Sequence, residues 1–252
     1  MKKTIRISTM AFAFVAFIGC KQGTETDNSV AQVEVVAEEA PAQASISRVI
    51  TKEEQATFTP DGVLKSFMEG NERYVNNDLT PRNQSKQVAK SATGQFPEAI
   101  ILSCVDSRVP VEKVFDRGIG DIFVARVAGN FANEDILGSM EFACKVSGAK
   151  VVMVMGHQSC GAVNAAVNGV ELGNITPMLE NIKPAVDLVE YNGDRSSSNS
   201  EFMEMVHESN VNNTIAYIRK NSPILKEMED NGEIKIVGAI YNLETGRVEW
   251  LD

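Results

Sequence analysis

Ala99-Ile-Ile-Leu-Ser-Cys104-Val-Asp106-Ser-Arg108 is an apolar run of strand length that ends in a thiol, a carboxylate and a guanidinium. Two more runs share its character. These are Ile122-Phe-Val-Ala-Arg-Val127 and Lys150-Val-Val-Met-Val-Met155, the second leading into Gly156-His157-Gln-Ser-Cys160-Gly161. Strands apolar on both faces belong in a parallel sheet buried between helical layers. Helical periodicity surrounds them: 61–75 gathers Val63, Leu64, Phe67 and Met68 on one side, and 134–147 gathers Ile136, Leu137, Met140, Ala143 and Cys144. A short helix fits 85–91. Beyond His157 the pattern predicts helices over 161–168, 176–190, 201–220 and 223–230, a loop over 192–200, and strands over 233–241 and 246–251. The expected class is α/β, with a parallel core of four to five strands flanked by helices.

Composition sets bounds on function. With 252 residues, 43% of them hydrophobic, the chain has apolar material for one good core or two modest ones. A net charge of −10 argues against a nucleic-acid partner, which requires a basic face. Four cysteines, Cys20, Cys104, Cys144 and Cys160, are too sparse for a disulfide scaffold, and there are only two histidines, His157 and His207.

The first residues read as a leader rather than as fold. Lys2, Lys3 and Arg6 precede the apolar run from Met10 to Ile18. As a helix that run rises only about 14 Å, against a hydrocarbon core of roughly 30 Å, so it fits a signal peptide and not a membrane span. Phe17-Ile-Gly-Cys20 resembles the lipobox of bacterial lipoproteins, which implies a signal peptide over 1–19 and a lipidated Cys20. The expectation is an exported protein, lipid-anchored to a bacterial membrane on the periplasmic side or at the cell surface. Residues 20–57, rich in Glu, Ala, Gln, Thr and Ser, read as a flexible tether, and 58–252 as the folded domain.

Chemistry concentrates in the two motifs that follow the first and third apolar runs. Ligands of open α/β sheets bind beyond the carboxyl ends of the strands, and both motifs stand there. Two thiolates and an imidazole are three donors of the kind a tetrahedral zinc takes. Asp106 lies close enough to Cys104 to act as a fourth ligand or as a nearby acceptor, and Arg108 can pair with it. The motifs hold one of the two histidines and two of the four cysteines. The competing readings are a closed structural zinc site and ordinary buried thiols, the commoner fate of free cysteine. Cys144, on an apolar helical stripe, reads as a core thiol, and His207, among acidic neighbours, as a surface histidine.

Cys104-x-Asp106-Ser-Arg108, Gly156-His157-x-x-Cys160-Gly161 and Arg126-Val-Ala-Gly-Asn130 together resemble the β-class carbonic anhydrases, over about residues 60–252. The resemblance implies zinc on Cys104, His157 and Cys160, with Asp106 and Arg108 as the catalytic pair. Asp106 would be a fourth ligand in a closed state. Gln95, Phe123, Phe142 and Gly161 match substrate-binding positions. The implied reaction is the reversible hydration of carbon dioxide to bicarbonate, in a homodimer or larger homo-oligomer with the pocket at the subunit contact. Two rivals remain at this stage: a hydrolase of carbonyl sulfide or carbon disulfide on the same fold, and a non-catalytic lipoprotein binding zinc or bicarbonate.

Overall fold

Ile100 and Leu102 face one way and Ala99 and Ile101 the other, and all four are buried. That alternation sets the layering of the molecule. The structure, a computed structural model, describes residues 45–251. The leader over 1–19, Cys20 and the first part of the tether lie outside the described residues.

Three helices come first: α1 (Lys52–Gln55), α2 (Pro60–Val75) and α3 (Gln84–Ser91). The alternating part begins with β1 (Ala99–Ser103), α4 (Val111–Val114), β2 (Ile122–Arg126) and α5 (Glu134–Glu141), whose helix continues as a π turn over Phe142–Val146. Then come β3 (Val151–His157), α6 (Gly161–Val167), α7 (Ile175–Leu179) and α8 (Lys183–Leu188). The last elements are α9 (Ser200–Asn221), α10 (Pro223–Asp230), β4 (Lys235–Tyr241) and β5 (Val248–Leu251).

The five strands form one sheet in the order β2-β1-β3-β4-β5. The first three pairings are parallel and β4–β5 is antiparallel, in keeping with the α/β expectation. One face packs Ile100, Leu102, Val152 and Val154 against Leu137, Met140, Ile215 and Ile218. The other packs Ile101, Met153 and Met155 against Phe67, Val114 and Phe115. Each fully buried aliphatic or aromatic side chain contributes roughly 1.5–3 kcal/mol, so the two faces carry most of the stability. Register then places the chemistry. Ser103 pairs with Met155, so Cys104 emerges from β1 level with the end of β3, where His157 stands beside Tyr241 of β4.

Two glycines let α9 lie close against this edge. A Cβ on Gly156 would come 2.8 Å from Val211 Cγ2, and one on Gly238 would come 2.8 Å from Val211 Cγ1. Their absence seats the helix directly on β3 and β4, beside His157. A third apolar cluster, including Phe131, Leu179, Ile182, Phe202 and Val206, roofs the cysteines there.

The tether expected over 20–57 is corrected at its C-terminal end. Ile46 N–H donates to the Pro81 carbonyl at 2.7 Å, and Asn83 N–H donates back to the Ile46 carbonyl at 2.8 Å. Thr51 and Glu54 cap α1 reciprocally, and the buried Gln55 amide donates to the carbonyls of Pro97 (2.7 Å) and Ser147 (2.8 Å). The described fold therefore already includes Ile46. Backbone pairing and one buried amide fasten this strap, and neither registers as hydropathy. The single helix expected over 176–190 is two, α7 and α8. Pro184 occupies the first turn of α8, where its missing N–H is tolerated, and it could not continue a helix from α7.

Candidate metal centre

Cys104 is the first residue beyond β1, His157 the last of β3, and Cys160 the N-cap of α6. A two-residue turn joins the latter pair, with Ser159 at φ 52, an uncommon conformation for a non-glycine residue. The three side chains are buried, and their donor atoms all lie within 4.8 Å of one another. The two sulfurs are 3.9 Å apart.

The imidazole fixes the direction of the site. His157 Nδ1 lies 2.8 Å from the Gln158 carbonyl, which can only accept, so Nδ1 carries the proton. Nε2 is then a bare lone pair, buried and without a hydrogen-bond partner. A buried polar atom with no partner is costly unless something else satisfies it. Two thiols beside that lone pair make a donor set that fits a metal ion. Among the described residues, this is the one cluster of His, Cys and acidic side chains with metal-binding geometry.

The thiols are prepared unequally. The hydrogen bond from Cys160 holds the Cys104 thiol well below its ordinary value, against the cost of burial, with help from the Gly129 N–H. Cys160 is pushed up, because it holds the hydrogen that Cys104 accepts and is itself buried. The pair is thus disposed to present a thiolate at Cys104, and a metal held here would require both thiols in their deprotonated form.

Asp106 stands at the mouth of the cluster in the grip of Arg108. The guanidinium donates to both carboxylate oxygens, Nη2 to Oδ2 at 2.7 Å and Nε to Oδ1 at 3.0 Å. The Arg108 backbone N–H adds a third bond to Oδ1 at 2.9 Å. These bonds hold the carboxyl well below the usual carboxylate range. Asp106 Oδ2 is nonetheless only 3.8 Å from His157 Nε2, so a modest turn would bring it among the donors. The loop itself is braced by Arg126, which donates to the carbonyls of Cys104 (2.9 Å), Asp106 (3.3 Å) and Val109.

The expected substrate positions separate into two groups. Gly161 opens α6 next to Cys160, with open space where a Cβ would be. Gln95 is exposed in the loop before β1, and Phe123 pairs in register with Ile100. The Phe123 and Phe142 rings lie 6.2 Å apart and line an open groove with Ile100, Val124 and Ile136. Ile100 is four residues from Cys104, about 13 Å along an extended strand. Within one chain, Phe123, Phe142 and Gln95 therefore do not join the cysteines and His157.

Two features escaped the sequence reading. His207 is not a surface histidine: it is 6% exposed, and its Nε2 accepts the Cys160 N–H at 3.4 Å. Burial, and then the nearby His157, push its pKa down to about 4. The signal was present, since Phe202, Val206, Val211 and Ile215 recur at helical spacing and place residue 207 on the buried side of α9. Nothing in the sequence around Arg126 signals the three carbonyls it holds. Cys144 is a core thiol as expected, with burial pushing it up to about 12.

A parallel sheet with a Cys–His–Cys cluster at its carboxyl edge and a gripped aspartate beside it defines the carbonic anhydrase class with two thiolate donors. The family described as carbonic anhydrase matches residues 99–248. Carbonic anhydrase 2 of Mycobacterium tuberculosis is 37% identical over 196 residues, which is 75% of this chain and 91% of that protein. Among solved structures, the Coccomyxa β-carbonic anhydrase in complex with acetazolamide aligns with a TM-score of 0.59 at 23% identity, covering 77% of this chain and 87% of that one. One of two tetrameric β-carbonic anhydrases from Sordaria macrospora aligns with a TM-score of 0.54 at 21% identity, over 75% and 93% of the two chains. The chain belongs to the β-class carbonic anhydrase family.

Proposed function

We propose that this protein catalyses the zinc-dependent reversible hydration of carbon dioxide to bicarbonate. The observation that carries the reading is the bare, buried Nε2 of His157, set beside two thiols and facing an aspartate that Arg108 holds aside. Cys104, His157 and Cys160 would hold the zinc. When bound there, zinc supplies Lewis acidity that makes a nucleophile available from water near neutral pH. Asp106, kept anionic, accepts a hydrogen bond from the attacking water and fixes the direction of its lone pair. Arg108 keeps the carboxylate in that role and out of the ligand set. Gly161 leaves room at the start of α6 for the three-atom substrate.

Gln95, Phe123 and Phe142 fit this reading as a contribution from a second copy of the chain. Their open groove on the outer side of β2 supports that assignment, as does the tetrameric assembly named for the Sordaria macrospora enzymes. We place the protein on a bacterial membrane through lipid on Cys20, with residues 1–19 as the leader; the lipobox-like stretch supports this. Stopped-flow hydration of carbon dioxide by zinc-loaded protein tests the activity, with carbonyl sulfide hydrolysis measured in parallel. Hydration well above the uncatalysed rate is the expected result. Turnover of carbonyl sulfide alone would favour the hydrolase, and no turnover of either would favour a binding protein.

A further inference from the structure

Helix α9 reaches Cys160 through its backbone and Cys104 through Gly129. His207 Nε2 accepts the Cys160 N–H at 3.4 Å. Three residues on, Asn210 Nδ2 donates to the Gly129 carbonyl at 2.8 Å. The N–H of that same Gly129 points at Cys104 Sγ, 3.4 Å away. Residues three apart share a helix face, and both side chains are buried, 6% and 1% exposed. Neither belongs to the ligand set or to the Asp106–Arg108 pair.

We propose that His207 and Asn210 are positioning residues that hold the two thiolate ligands at the spacing the metal requires, His207 through the Cys160 backbone and Asn210 through Gly129. The proposal rests on the zinc reading above and extends it to α9.

The physical case is one of constraint. Cys160 follows Ser159, whose positive φ is an uncommon conformation, so local preference does little to fix where α6 starts. The Cys160 N–H is buried and needs an acceptor, and His207 supplies one at a fixed place. Gly129, at φ 83, has no Cβ to restrict the rotation of its two peptide planes. Asn210 holds the plane on its carbonyl side, which steadies the N–H aimed at the Cys104 sulfur. Helix α9 can serve as the reference because Gly156 and Gly238 seat it firmly on β3 and β4. Hydrogen bonds beyond the ligands commonly set ligand orientation in metal sites.

The test compares full-length wild type with His207→Phe, His207→Gln and Asn210→Leu. Zinc affinity is measured by competition with a chromogenic chelator, and the cobalt(II)-substituted proteins are compared by their thiolate-to-metal and d–d absorption bands. His207→Phe and Asn210→Leu should bind zinc about 10–100-fold more weakly and shift the cobalt bands. His207→Gln, whose side-chain carbonyl still accepts, should recover most of the affinity. Wild-type affinity and spectrum in both the Phe and Leu variants would overturn the proposal, as would a Gln variant no better than Phe. A measurement on wild type alone guards against misfolded variants: long-range 1H–15N spectra should show His207 with Nε2 unprotonated. A proton on Nε2 overturns the assignment. Wild-type protein that takes up no zinc overturns the underlying zinc reading instead.

Discussion

Asp106 Oδ2 lies 3.8 Å from His157 Nε2, yet both of its carboxylate oxygens are bonded to Arg108. On the proposed reading, that guanidinium is what keeps Asp106 an acceptor beside the Cys104–His157–Cys160 cluster and not a fourth donor within it. Arg108→Ala should let the carboxylate fall among the donors, and Asp106→Asn should remove the anion that orients water. Each should reduce carbon dioxide hydration by about 10–100-fold or more with zinc still bound. The defects should not add in the double variant, because both remove one unit. Stopped-flow rates paired with zinc content decide it. Near-normal activity in Arg108→Ala would show that the cluster works without the pair.

Cys160→Ser should lose most of its zinc. A neutral hydroxyl replaces a thiolate, and the cluster keeps only Cys104 and His157 as strong donors. Elemental analysis after dialysis is sufficient, and full zinc occupancy would contradict the ligand assignment.

Asp116 offers a prediction about stability remote from the site. Its buried carboxylate takes Arg73 Nε at 2.6 Å, Thr80 Oγ1 at 2.6 Å and Arg82. Burial opposes the charge, but the bonds from Thr80, Arg73 and Arg82 prevail and hold the carboxyl below its ordinary value. A depressed folded-state pKa means a contribution fully present above the unfolded value of about 3.9 and lost as pH falls through the folded one. Asp116→Asn should cost about 3 kcal/mol at pH 7, the low end for a broken buried ion pair, since Arg73 is partly exposed. The difference from wild type should hold down to the unfolded value and shrink as the pH falls from there toward the folded one. Urea denaturation across pH 7 to 3 checks both the size and the direction.

The strands were legible because β1 and β3 are apolar on both faces, a pattern that only a covered parallel sheet satisfies. The donors were legible because His and Cys are scarce and fall just after those strands. What stayed hidden depends on contacts between residues distant in sequence. Gln55 looked like tether until its amide was seen to join the carbonyls of Pro97 and Ser147. His207 looked exposed because Glu204 and Glu208 flank it, although the apolar spacing of α9 turns it inward. Phe123 and Phe142 matched pocket positions, and within one chain they line a groove at Ile100, about 13 Å along β1 from Cys104.

Cys20→Ala should leave the protein unacylated and shift it from the membrane to the soluble fraction. On the lipoprotein reading the anchor is the lipid on Cys20, and acyl chains hold a protein at a membrane. Fractionation with intact-mass analysis tests this. A mature chain that starts elsewhere and carries no acyl mass would remove the lipoprotein reading.

The most direct test of the central claim is carbon dioxide hydration by stopped flow, measured on one preparation before chelation, after it, and after zinc is returned. The expected rate is proportional to bound zinc, close to one ion per chain, and it disappears with the metal and returns with it. A protein carrying its full zinc on Cys104, His157 and Cys160 that hydrates carbon dioxide no faster than buffer would contradict it.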